Sequence, residues 1–189
     1  MAHNQKGSRL TSISEALFLE RGDAGAFEAL FYAHYDRVYG LLYRLVGSRG
    51  EAEDLAQEVF LKLYQRQARF SDDRRHNLSA WLYRVATNTG YNALRSRHRR
   101  WRRDTTLLAD ATDEAPDPAT TVAQKETQKA VRQTLAKLPQ RDVQLLLLRE
   151  MGLSYVELAA ICDVAPGSVG TLLRRAADAF RREYRKYER

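Results

Sequence analysis

The sequence predicts an all-α chain folded as two small helical domains joined by an acidic flexible linker. Three observations carry this. Apolar residues recur three and four apart along several long stretches, as helices require, and no convincing alternating strand pattern occurs. The 189 residues include only 10 Gly and 4 Pro, so helix breakers are few. Residues 105–124 hold Asp110, Asp113, Glu114 and Asp117, two prolines and no Lys or Arg, which is linker composition. A chain of this length fits one domain or two small ones.

In order, residues 1–22 form an N-terminal segment with a short helix at 14–20. Residues 24–46 follow as a long amphipathic helix, because Phe27, Leu30, Phe31, Tyr35, Val38, Leu42 and Leu45 share one side. Gly47-Ser48-Arg49-Gly50 reads as a turn. Residues 51–68 resume a helix along Leu55, Val59 and Leu63; 70–78 have loop composition, and 79–100 are helical again. These make a first domain over 23–104. After the linker, helices near 124–137, 140–150, 154–161 and 166–187 make a second over 125–189.

Charge narrows the partners. The net charge of +7 and pI near 9.7 favour a polyanion, most commonly nucleic acid. Cys162 is the only cysteine, the four histidines are scattered and no zinc spacing occurs, so neither a metal nor another cofactor is expected. The opening MAHNQKGSRLTS lacks the apolar core of a signal peptide. Apolar runs such as Leu145 to Leu148 fall far short of the roughly 18 residues a membrane helix needs. A cytoplasmic protein without membrane insertion is the expectation.

Residues 157–176, ELAAICDVAPGSVGTLLRRA, are helical on both sides of a break. Tyr155 to Ile161 is the first helix, with small Ala159 where the second would cross it. Pro166 suits the first position of the second helix, where a missing N–H costs nothing. Val169, Leu172 and Ala176 then face inward, leaving Gly167, Ser168, Thr171, Arg174 and Arg175 facing out. That is a helix-turn-helix, whose second helix enters the major groove. Small polar side chains and Arg read base edges there, and Arg also holds phosphates. The plainer reading is an αα-hairpin with a solvated basic face. Seven basic residues against three acids from Gly170 to Arg189 favour DNA. Cys162 reads as a core residue.

A second basic element spans residues 80–103, with seven Arg and no acid. On a helix, Leu78, Leu82, Val85, Ala86, Thr89 and Ala93 form the core stripe. Trp81, Arg84, Asn88, Asn92, Arg95 and Arg99 form another arc. Amides read exposed base edges, Arg binds phosphates and aromatics stack on unpaired bases, so this arc suits opening DNA. A solvated Arg-rich helix with Trp81 in the core is the alternative. In EAEDLAQEVFLKLY (51–64), Asp54, Gln57, Glu58 and Leu61 share a face that suits a basic protein surface. Acids near a helix N-terminus also suit the macrodipole.

These residues leave three function classes open: a subunit that needs both DNA elements and a protein partner, a stand-alone helix-turn-helix repressor or activator, and an RNA-binding helical protein. An enzyme is not expected. Asp72-Asp73 is an adjacent acid pair in a loop, of the kind that is usually just solvated, and no phosphate loop or nucleophile elbow occurs.

Three motifs in order settle on one family resemblance, over about Leu19 to Tyr184. RGDAGAFEALFYAHYDRVYGLLYRLVGSRGEAEDLAQEVFLKLY, LSAWLYRVATNTGYNALRSRHRR and LPQRDVQLLLLREMGLSYVELAAICDVAPGSVGTLLRRA resemble bacterial RNA polymerase sigma factors of the extracytoplasmic-function (ECF) group. The resemblance implies a non-enzymatic specificity subunit of core RNA polymerase, associated with the nucleoid when bound to it. Asp54, Gln57, Glu58 and Leu61 would meet the clamp helices of the largest subunit, and the second domain would lie at the flap region. The 71–78 loop and the Asn88/Asn92 face would capture an unpaired −10 base. Ser168, Thr171, Arg174 and Arg175 would meet the −35 duplex. Members of the group are often held by an anti-sigma factor. The chain departs from the family at Asn92, where many members have Asp. It departs again at Gly170, where many have a larger polar residue, and at Leu82, where primary sigma factors have the second Trp of a pair.

Overall fold

The computed structural model describes residues 24–66, 78–103 and 121–187. The expected helix at 14–20, the 70–78 loop with Asp72-Asp73, and most of the linker lie outside the described residues. Seven α-helices occupy the rest: α1 (Ala24–Val46), α2 (Arg49–Arg66), α3 (Leu78–Arg103), α4 (Val122–Leu135), α5 (Gln140–Glu150), α6 (Tyr155–Cys162) and α7 (Val169–Tyr184). A 3-10 turn, Pro166–Ser168, precedes α7. The all-α expectation holds.

The first unit is a three-helix bundle of α1, α2 and α3. Leu30, Leu41, Leu42 and Leu45 of α1, Leu63 of α2, and Leu78 and Leu82 of α3 are completely buried. Burying each such side chain contributes ~1.5–3 kcal/mol. Gly90 lets α1 and α3 close on each other, since a Cβ there would lie 2.7 Å from Leu45 Cδ1 and 3.0 Å from Leu42 Cδ2. Helix α2 starts two residues earlier than its spacing predicts. Gly47, at φ 73°, and Ser48 make the corner, and Ser48 Oγ accepts from the Glu51 N–H. Arg97 of α3 fixes that corner by donating to the Val46 carbonyl (2.6 Å) and pairing with Glu51.

The second unit packs α5 and α6 against α7, with α4 alongside α7. Leu145, Leu148, Leu158, Ile161 and Val169 are its fully or almost fully buried centre. Helix α4 begins at Val122, inside the stretch whose composition reads as linker. Thr121 and Gln124 form a capping box that satisfies two end donors reciprocally, so cap chemistry outweighs the acid-rich composition there. Ser154 and Glu157 cap α6 in the same way. The break after α6 turns on Asp163, which ends the helix in the left-handed region (φ 55°, ψ 52°), and the Val164 N–H bonds back to the Ala159 carbonyl. Asp tolerates this conformation better than most residues with a Cβ. Pro166 opens a 3-10 turn, and α7 proper starts at Val169. Among the described residues, no single helix is long and apolar enough to cross a membrane.

The two units touch. Helix α3 packs on α5 and α6 as well as on α1 and α2.

Two stability predictions follow from these contacts. Gly90→Ala should destabilise the chain by ~1–3 kcal/mol through overpacking against Leu45, read from urea unfolding. Ser154→Ala should cost ~1 kcal/mol by removing the α6 cap. The bonds from Ser154 hold the Glu157 carboxyl below its ordinary 4.5. A carboxylate whose folded value is lowered stabilises fully above its unfolded value and loses that contribution as pH falls through the folded one. The gap between wild type and Ser154→Ala should therefore narrow below pH 4.5.

Candidate nucleic-acid and partner interface

The sequence places three functional faces on α7, α3 and α2, and the structure treats them differently. On α7 the expected division holds. Val169 and Ala176 are fully buried, and Leu172 and Leu173 are half-buried. Gly167, Ser168, Thr171, Arg174 and Arg175 are all exposed. One side of the helix therefore anchors it to α5 and α6 while the other presents two hydroxyls and two guanidinium groups. Gly170 lies against the Tyr155 ring, but a Cβ there would meet Tyr155 Cε2 at 3.5 Å, an ordinary contact. Packing does not demand glycine at this position. Arg149 covers the same ring, 5.5 Å from its centroid.

The α3 arc splits into three. Asn92, Arg95 and Arg99 are exposed; Arg95 lies 5.8 Å from the Tyr91 ring centroid, and Arg99 donates to Ser96 Oγ at 3.4 Å. Trp81 is half-buried on a cleft of about 410 Å³ shared with Lys62, Gln65, Arg66 and Val85. It is neither a core residue nor a free platform: one part packs and the rest borders a basic cleft. Arg84 and Asn88 face the second unit. The Arg84 guanidinium donates to the carbonyls of Ile161 (2.7 Å) and Ala160 (2.6 Å) in the last turn of α6. The Asn88 carbonyl oxygen accepts from Gln140 Nε2 at 2.5 Å.

Two further residues of α3 join this contact, and the sequence reading assigned neither of them. Thr87 Oγ1 accepts from Gln144 at 2.6 Å, and the Tyr91 hydroxyl donates to the Leu138 carbonyl at 2.6 Å. Both are buried. A hydroxyl and a phenol on the side that the core stripe leaves outward were the available signal.

On α2 the expected face is intact. Asp54, Gln57, Glu58 and Leu61 are all exposed, Leu61 at 54%. Ala52, Ala56, Val59, Phe60 and Leu63 are buried on the opposite side. Tyr64, at 52% exposure, extends the apolar part of the face by a turn. Glu58 pairs with Lys62 at 2.5 Å, a surface pair that a docking partner displaces at little cost. The face combines carboxylates, which suit the polar rim of a protein contact, with an exposed Leu and an exposed Tyr, the latter a residue enriched in such contacts.

Cys162 is half-buried, and burial pushes its thiol up to about 11, opposed by the nearby Arg84 and Arg141. It is a protonated packing residue at neutral pH.

Comparison with known proteins shows the family. The Sigma-70 region 2 model matches residues 30–100, and the Sigma-70, region 4 model matches residues 128–179. The chain is 33% identical over 172 residues to the RNA polymerase sigma-H factor of Pseudomonas aeruginosa, covering 86% of this chain and 88% of that one. It is 32% identical over 171 residues to the ECF RNA polymerase sigma-E factor of Escherichia coli K12, covering 86% and 88%. It is 29% identical over 176 residues to the ECF RNA polymerase sigma factor SigW of Bacillus subtilis, covering 88% and 93%. Two solved structures share the fold. One is CnrH in complex with the cytosolic domain of CnrY, with TM-score 0.61, 20% identity, and coverage of 90% of this chain and 94% of that one. The other is the sigma factor RpoE with the anti-sigma factor NepR from Bartonella quintana, with TM-score 0.54, 23% identity and coverage of 84% and 96%.

Two outcomes test the α7 surface. Arg174→Ala with Arg175→Ala should weaken duplex binding and flatten its salt dependence by about 0.9 in log–log slope per lost phosphate contact, read by fluorescence anisotropy across a salt series. Gly170→Ala should raise stability by up to about 1 kcal/mol, because the helix gains and no neighbour is displaced.

Proposed function

Because this chain belongs to the ECF sigma factors, which direct promoter-specific transcription together with core RNA polymerase, we propose a division of that work among three surfaces, on α2, α3 and α7. Region 2 comprises residues 23–104 and region 4 residues 125–189, joined by the acidic segment 105–124. Asp54, Gln57, Glu58 and Leu61 dock on the clamp helices of the largest polymerase subunit. Ser168, Thr171, Arg174 and Arg175 read the −35 duplex, and region 4 seats at the flap. Trp81, Arg84, Asn88, Asn92, Arg95 and Arg99 engage the −10 element, in which an unpaired base is held by amides and stacked on an aromatic ring.

The observation that supports this reading best is the coexistence of the three faces. A protein that only binds duplex DNA needs the α7 surface alone. It has no use for an acidic and apolar face on α2, since carboxylates are repelled by phosphates. The polymerase supplies catalysis, and this chain supplies the sequence choice. It works in the cytoplasm, on the nucleoid when polymerase-bound. An anti-sigma factor is a further proposed partner, as one structure of the same fold contains such a complex.

The test is association with core polymerase followed by run-off transcription from random promoters. Asp54→Lys with Glu58→Lys should abolish association while leaving the circular dichroism spectrum unchanged, because both side chains are exposed and support no core contact. Unchanged association would place the docking face elsewhere.

A further inference from the structure

The end of α3 and the middle of α4 border a cleft that none of the three proposed surfaces uses. Val46, Leu94 and Ala136, all buried, give it an apolar floor. Trp101 and His98 of α3 make one wall, their ring centroids 6.2 Å apart and their planes inclined by 28°. Helix α4 contributes Lys129 and Arg132. The cleft holds about 100 Å³, and it shares Trp101 and His98 with a neighbouring space of about 550 Å³.

Two features set this cleft apart from an ordinary helix seam. Tryptophan is highly buried on average, yet Trp101 is 47% exposed, and its ring borders both spaces. Arg132 is seated by the backbone. Its guanidinium lies so close to Gly47 that a Cβ there has no room, and Gly47 holds the positive φ that turns the chain from α1 into α2. That corner therefore fixes a guanidinium at the cleft. Arg97 adds a further cation, its charge shared with Glu51 and the Val46 carbonyl. Among the described residues no carboxylate lines the cleft, and Glu183 of the neighbouring space is paired with Lys186 at 2.6 Å.

A flat ring fits the apolar floor and the Trp101 face, and a multiply charged anion fits the cations. A nucleotide carries both parts. At this size the cleft takes one ring and not a run of stacked bases. We propose that it is a binding site for a free nucleotide, with the base stacked on Trp101 and the phosphates held by Lys129 and Arg132. Stacking on an aromatic side chain tolerates any base, so the site selects nucleotides as a class. Guanidinium and ammonium bonds to phosphate are charge-assisted, the stronger kind of hydrogen bond.

The experiment is isothermal titration calorimetry of the full chain with ATP, beside tripolyphosphate, adenosine and a short single-stranded oligonucleotide. ATP should bind one per chain, about tenfold more tightly than tripolyphosphate or adenosine. Trp101→Ala and Lys129→Gln should each weaken ATP about tenfold with helicity unchanged, since both side chains are exposed. Trp101→Phe keeps a ring and should restore most of the affinity. Arg141→Gln, the same loss of charge at an exposed position on α5, should leave ATP binding as it was. Tripolyphosphate binding as tightly as ATP, or equal losses in Lys129→Gln and Arg141→Gln, would reduce the cleft to general basic charge and overturn the site. So would the absence of ATP binding, or full affinity in Trp101→Ala. An oligonucleotide that displaces ATP and binds more tightly would give the cleft to a strand. ATP binding seen only after Asp110→Asn, Asp113→Asn, Glu114→Gln and Asp117→Asn would give it to residues 105–120. Either result overturns the free-nucleotide assignment.

Discussion

Everything else in this molecule depends on how α3 shares out its circumference. A helix of 26 residues is about 39 Å long, longer than the bundle it joins needs. One side closes the first unit through Leu78, Leu82 and Ala86 on α1 and α2. A second side carries Arg84, Thr87, Asn88 and Tyr91 into the second unit. Only the remainder, with Asn92, Arg95 and Arg99, reaches solvent. Gly90 sets the depth of the first contact, and Arg84 sets the register of the second. Shifting either would re-aim every functional side chain on the helix.

The two sides of α3 are built from different physics. The side toward α1 and α2 is apolar and tightly packed, and opening it would expose fully buried leucines. The side toward α5 and α6 adds hydrogen bonds to apolar contact, each bond of modest net value because water competes for the same groups. Bonds to the charged Arg84 are the strongest of these. Buried apolar residues run continuously from the first unit, through Tyr83, Tyr91 and Leu94 of α3, into the second, so the bonds orient two units that share one core.

Much of the candidate site was legible in the sequence where a single helix decides it. The α2 face of Asp54, Gln57, Glu58 and Leu61 and the α7 face of Ser168, Thr171, Arg174 and Arg175 follow from 3.6-residue periodicity, and each is exposed as the spacing predicts. The helix-turn-helix was readable because Pro166 and the apolar positions Val169 and Ala176 are local signals. The start of α4 was misread because acidic composition outweighed the Thr121 cap. The α3 arc was read as one surface, and periodicity could not say otherwise. It ranks residues by angle around one axis and is blind to which angles another unit covers.

The sequence by itself determined the helices, the inward and outward faces of α2 and α7, the basic character that calls for nucleic acid and the family resemblance. All of these rest on residues close together along the chain. Only the tertiary structure decided that Arg84 and Asn88 meet the second unit, that Trp81 borders a cleft, and that Gly90 is a packing requirement. Those outcomes join residues of different helices, and the bonds to the second unit, Asn88 with Gln140 and Arg84 with Ile161, span more than fifty residues. The chemistry of Arg84 suits a phosphate and a helix C-terminus equally well, because both offer clustered oxygen acceptors. The side chain alone could not state which one it meets first.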